Sequence, residues 1–244
     1  MTSSTLQTTQ EILFIDATLA NLDVLLADAR PGVAVVLLQP GQDPWQTMTS
    51  VIEQYEGLTA IHLVSHGQSG ALILDGQRYD ANAIRSQQDL LTSWTPHLAS
   101  GADVLLYGCD VGAGSAGGTL LSTLARLTLT DVAASTDATG SALAGGNWVL
   151  ETASGLIESG IAFTSAIATD YSQILPTQPQ TVVVTTGTNM DPTKATTGLV
   201  GAGKLITMNP VTITMGTATN LLVINAYDVD YGMKTVECHP ELTP

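Results

Sequence analysis

Short apolar runs alternating with segments of helical period constrain this chain more than any other feature of its sequence. Ile12-Leu13-Phe14-Ile15 ends at Asp16, and Leu19, Leu22, Leu25 and Leu26 follow at helical spacing. Val33–Leu38 forms the next run, punctuated by Pro40-Gly41, before Trp45, Met48, Ile52 and Tyr55 step by three or four. Ala60–Ser65 reads as a third strand, and Ala71–Leu74 before Asp75-Gly76 as one arm of a hairpin. A weaker helical pattern over residues 81–94 leads to a fourth strand, Val104–Tyr107, and then to a helix carrying Leu120, Leu121, Leu124 and Leu127. Val132–Ser135 and Trp148–Leu150 supply two further strands, and Ile161–Leu175 a last helix. Strands alternating with helices call for a mostly parallel sheet covered on both faces, so residues 11–175 read as one α/β domain.

The pattern changes at Pro176-Thr177-Gln178-Pro179. Residues 176–180 read as a linker and 181–244 as a Thr-rich β region: 15 threonines fall between Thr177 and Pro244, with β-type runs at Val182–Val184, Val211–Met215 and Leu221–Tyr227. The formal charge of −15 argues against nucleic acid and anionic membrane surfaces as partners. No apolar run approaches the roughly 18 to 20 residues of a membrane span. The polar start, Met1–Gln10, lacks the basic and apolar segments of a classical signal peptide. Scarce Lys and Arg suit an extracellular or cell-surface protein, without a classical signal peptide. Cys109 and Cys238 are the two cysteines, too few for a disulfide scaffold or a four-cysteine zinc site.

Ligand sites of parallel sheets lie beyond the carboxyl ends of the strands. His66 directly follows Ile61–Ser65, and Cys109 follows Val104–Gly108. Consecutive parallel strands often lie side by side, so the two side chains form a candidate base and nucleophile. An imidazole and the N-terminus of the next helix are the groups that lower a thiol pKa, and Gly67 leaves a backbone N–H open toward a carbonyl oxygen. His62 reads as structural, His97 as a surface residue, and the adjacent Cys238-His239 as a weak metal signal; no metal site is expected. Gly112-Ala113-Gly114-Ser115-Ala116-Gly117 satisfies a dinucleotide fingerprint, but it begins too far beyond its strand, and close helix–sheet packing is the favoured reading.

The segments Leu63-Val64-Ser65-His66-Gly67 and Val104-Leu105-Leu106-Tyr107-Gly108-Cys109 resemble the caspase-like cysteine peptidases, the group of caspases, legumain, gingipains and separase. With Ala133-Ala134-Ser135-Thr136-Asp137 and Gly146-Asn147-Trp148-Val149-Leu150-Glu151, the likeness is closest to an uncharacterised caspase-like domain found near the N-termini of large secreted bacterial adhesin-like proteins. It implies a three-layer sandwich around a mostly parallel six-stranded sheet. It also implies a peptidase in which Cys109 attacks a peptide carbonyl, His66 transfers protons, and the N–H groups of Gly67 and Cys109 hold the oxyanion, with no cofactor. Asp137 and Asp110 are the acids nearest this site. The resemblance implies an acidic pocket for a basic substrate residue that Asp137 would line; a turn or helix cap is the competing reading of Asp137, and Tyr107 occupies a place that is often acidic in enzymes of basic specificity. The substrate would be a peptide or protein, or the chain itself. The competing expectation is a non-catalytic structural subunit of an extracellular assembly or filament that forms homo-oligomers through residues 181–244.

Overall fold

A computed structural model describes residues 10–175, together with the backbone of two strands near the C-terminus. The chain divides into two compact units, Met1–Gln178 and Pro179–Pro244.

In the first unit the elements run β1 (Glu11–Asp16), α1 (Leu22–Ala27), β2 (Val33–Leu38), α2 (Pro44–Ile52), β3 (Leu58–Val64), β4 (His66–Gln68), β5 (Ala71–Leu74), β6 (Gln77–Asp80), α3 (Ala81–Ser86) and α4 (Gln88–Ser93). They continue with β7 (Leu98–Tyr107), α5 (Gly114–Thr128), β8 (Asp131–Ala134), β9 (Thr152–Ala153) and α6 (Ile167–Asp170). A six-stranded sheet has the order β2-β1-β3-β7-β8-β9 and is parallel except for β9. The fold is therefore mixed α/β around a mostly parallel sheet, as the alternating pattern predicts.

Strand alternation divides the apolar residues between two layers. Ile12, Phe14, Ile61, Leu63, Val104 and Leu106 pack under the helices, whereas Leu13, Ile15, Ala60, Val64, Leu105 and Tyr107 face the opposite layer. Helix α2 is well specified locally. Pro44 stands at its first turn, the Asp43 carboxylate accepts from the N–H groups of Trp45 and Gln46, and Trp45, Met48 and Ile52 are buried. Helix α5 buries Leu120, Leu121, Leu124 and Leu127, the four leucines that its period selects.

Three expectations need correction. Residues 161–175 are not one helix; only Ile167–Asp170 is helical. The Arg30 N–H donates to Ala162 O at 2.8 Å and the Thr164 N–H to Asp28 O at 2.8 Å, so residues 162–164 satisfy their backbone against 28–30 in extended form. Trp148–Leu150 is not a strand, because the sheet position beside β8 is taken by Thr152–Ala153. Cover by helices on both faces is also uneven. One face carries α2 to α5, while the other has the short α1 and α6 and long loops from residues 138–166.

A small antiparallel sheet, β4-β5-β6, lies beyond the end of β3. Its β5–β6 hairpin matches the arm expected at Ala71–Leu74; β4 is polar and lacks the alternation that marks a strand. In the second unit β10 (Leu222–Asp228) pairs antiparallel with β11 (Gly232–Cys238). This agrees with the run at Leu221–Tyr227, while Val182–Val184, Val211–Met215 and His239 lie outside the described residues. Among the described residues no helix is long and apolar enough to cross a membrane.

Candidate functional site

Strands β3 and β7 are neighbours, with Val64 opposite Tyr107. The Ser65 N–H continues the ladder by donating to Tyr107 O at 3.0 Å. A methyl group on Gly67 would stand 2.6 Å from Cys109 O and 3.0 Å from the Gly108 carbonyl carbon. The backbones of 65–67 and 107–109 therefore run in contact, which brings His66 and Cys109 to the same end of the sheet. His66 is half-buried at the start of β4, and Gly67 is buried opposite Leu72. Gly67 is thus required by packing, in addition to any service its N–H gives.

Beyond Cys109 the chain turns through Asp110, which takes a left-handed conformation (φ 61°) that Asp tolerates better than most residues. The Asp110 N–H donates to Asp137 O at 2.9 Å and the Gly112 N–H to Ser135 O at 2.7 Å, so the β7–α5 loop is zipped to the segment after β8. Of the glycines in 112–117, Gly112 and Gly117 serve contact, whereas Gly114 supplies a left-handed turn (φ 64°). A Cβ on Gly117 would lie 2.1 Å from the Gly112 carbonyl carbon, and one on Gly112 would lie 3.2 Å from Ala134 Cβ. The helix could not approach the sheet with larger residues there.

The side chain of Cys109 follows Leu105 and Tyr107 into the loop-covered layer and is 1% exposed. The Thr139 N–H donates to its Sγ at 3.3 Å, and the thiol is in contact with the Leu175 carbonyl oxygen. Residues 173–175 form a strap across it. The Ser141 N–H donates to Gln173 O and the Leu175 N–H to Thr139 O, both at 2.7 Å. Burial pushes the thiol up to about 11, against the lowering effect of the Thr139 N–H and with a further rise from the Asp110 and Asp137 carboxylates. Sequence reasoning missed this cover, since nothing in the composition of 173–175 marks an extended strap.

Asp137 is exposed, and both its oxygens accept from Asn147 Nδ2 at 3.1 Å. The Ser135 hydroxyl donates to Asp137 Oδ1 at 3.3 Å. Asp110 titrates above the ordinary carboxylate range, through burial first and then the neighbouring Asp137 charge. His62, read as structural, is fully buried between Tyr107 OH on Nδ1 and Glu11 Oε2 on Nε2, each at 3.1 Å. Tyr107 OH accepts from the Ala162 N–H at 3.1 Å, and Arg30 pairs with Glu11. Burial lowers the His62 pKa despite the opposing pull of Glu11, so the neutral ring is the form this network holds. His97 Nδ1 lies 2.9 Å from Tyr55 O, a structural contact.

A family described as a domain of unknown function (DUF4347) matches residues 12–175, more than half of the 244. The chain belongs to this family. No curated protein and no solved structure matches it. The DUF4347 region begins within β1 and ends at Leu175, the residue that lies on the Cys109 thiol, so the strap falls inside it.

Proposed function

We propose that residues 11–175 form a caspase-like cysteine peptidase domain held in a latent state. Cys109 is the nucleophile and His66 the proton carrier. The observation that carries this reading is the adjacency of β3 and β7, whose ends bring His66-Gly67 beside Gly108-Cys109. Release of Gln173–Leu175 would return the thiol to solvent and remove the burial that holds its proton. The Cys109 sulfur would then form a bond to the substrate carbonyl carbon as its proton passes to His66. The N–H groups of Gly67 and Cys109 would hold the oxyanion, the amine would leave with that proton, and water would hydrolyse the thioester. Asp137, with Asp110 nearby, is the acid for a Lys or Arg side chain, which would replace the Asn147 amide as its donor.

Gly140→Ala tests the proposal, because a Cβ at Gly140 would stand 2.4 Å from Gln173 O and 2.7 Å from Ile174 Cα and so dislodge the strap. Iodoacetamide labelling of Cys109 at neutral pH should rise about tenfold or more over the native chain, and His66→Ala in the same background should reverse much of the gain. Labelling that rises equally with and without His66 would remove the dyad. A second reading would then stand, a non-catalytic scaffold in a surface assembly. The burial of the thiol favours it, as does the β10–β11 pair, since a two-stranded sheet alone is marginally stable.

A further inference from the structure

Away from His66 and Cys109, the loop-covered face gathers three carboxylates. The parallel register of β7 and β8 sets Asp103 opposite Asp131. The chain after β9 brings Glu158 to the same place, and each residue turns one carboxylate oxygen to within 4.8 Å of the others. Asp103 is 1% exposed. Its Oδ2 accepts from the N–H groups of Glu158 at 3.1 Å and Ser159 at 2.8 Å. Its Oδ1 is equally closed to solvent and has no hydrogen-bond donor among the described residues.

That atom is the anomaly. A buried carboxylate oxygen without a donor is costly, and two more carboxylates beside it raise the cost. Among the described residues, no Lys, Arg or His forms an ion pair with any of the three. The surroundings also keep the carboxylates where they are. A Cβ on Gly155 would stand 1.9 Å from Asp131 Oδ1, so that residue leaves room for the acid. The Val132 N–H donates to Ser154 Oγ at 2.9 Å and the Ser154 N–H to Val132 O at 2.8 Å, fixing the segment that delivers Glu158.

We propose that Asp103, Asp131 and Glu158 bind a calcium ion, with Asp103 Oδ1 as the buried ligand and the two more exposed carboxylates completing the protein's share. An all-oxygen, triply negative donor set selects hard divalent cations. Three ligands drawn from two strands and a loop suit the variable coordination of calcium better than the strict octahedron of magnesium. The ion would clamp the 154–159 segment to the sheet and so reinforce the thinly covered face. Sequence reasoning had no access to the site, because positions 103, 131 and 158 share no motif spacing and meet through strand register alone.

The test is calorimetric titration of the full chain, stripped with EDTA, with calcium chloride and separately with magnesium chloride, accompanied by thermal melts. One calcium should bind with Kd on the order of 10⁻⁵ to 10⁻³ M and raise Tm at saturation by about 5 °C. Asp131→Asn and Glu158→Gln, both at less buried positions than Asp103, should each weaken calcium binding at least about tenfold while the calcium-free Tm stays level or rises, since a like charge has gone. Absence of heat and of any Tm shift at about 10 mM calcium would overturn the proposal. Unchanged binding in both variants would also overturn it, as would an equal response to magnesium, which contradicts the assignment to calcium.

Discussion

The two faces of the central sheet are built differently. On one, α2, α3, α4 and α5 lie over Ile12, Phe14, Ile61, Leu63, Val104 and Leu106, and that layer is overwhelmingly apolar. On the other, loops and two short helices cover Leu13, Val64, Leu105 and Tyr107, and the same side holds His62, Cys109 and Asp103. A helix satisfies its own backbone internally. A loop must find donors and acceptors elsewhere, and Tyr107 OH, Asp103 Oδ2 and Cys109 Sγ all receive loop N–H groups. Polar and reactive side chains therefore collect where cover is irregular, and both proposed sites lie on this face.

The largest effect should come from the cores themselves. Leu124→Ala under α5 should destabilise the domain by about 3 kcal/mol in urea unfolding, and Phe163→Ala on the loop-covered face by about 4 kcal/mol. Both residues are 2% exposed. A cost below about 1 kcal/mol for Phe163 alone would break the comparison by showing that the loop face is not a packed core. Next is the alkaline limb. The Cys109 thiol is raised from 9.0 to about 11 on folding, so the native state holds its proton more tightly than the unfolded chain. The stabilisation is full below about pH 9 and is lost as pH rises through about 11, a decline of about 2 to 3 kcal/mol. Cys109→Ala should make it shallower in urea titrations across that range, with the Tyr107 and Tyr171 phenols, also raised by burial, carrying the remaining slope, whereas Leu124→Ala should leave the slope unchanged. The smallest effect belongs to the helical face, where Asp43→Ala removes the α2 cap and should cost about 1 kcal/mol without altering Cys109 labelling.

Much of the architecture was legible because it depends on local periodicity. The stepping of Trp45, Met48 and Ile52 and of Leu120, Leu124 and Leu127 matches the faces that α2 and α5 bury. All five parallel strands were visible as short apolar runs, and the placement of His66 and Cys109 beyond two of them followed from where those runs end. The misreadings at Trp148–Leu150 and Ile161–Leu175 share one cause. Their aromatic residues pack on Tyr107, with Trp148 and Phe163 ring centroids 4.9 Å apart, while the backbone of 162–164 pairs with 28–30, that of 173–175 with 139–141, and the Val149 N–H donates to the Asn147 side chain.

By itself, the order of apolar runs determined an α/β domain over residues 11–175 and the two strand ends that carry His66 and Cys109. Only the tertiary structure decided that the thiol is roofed by Leu175 and Thr139, that Asp137 is held by Asn147, and that Asp103, Asp131 and Glu158 converge. The division has a physical basis. Periodicity records which side of an element is buried, a property of neighbours along the chain. The state of a thiol or a carboxylate depends on which distant backbone groups exclude water from it, and those are chosen when the loops close over the sheet.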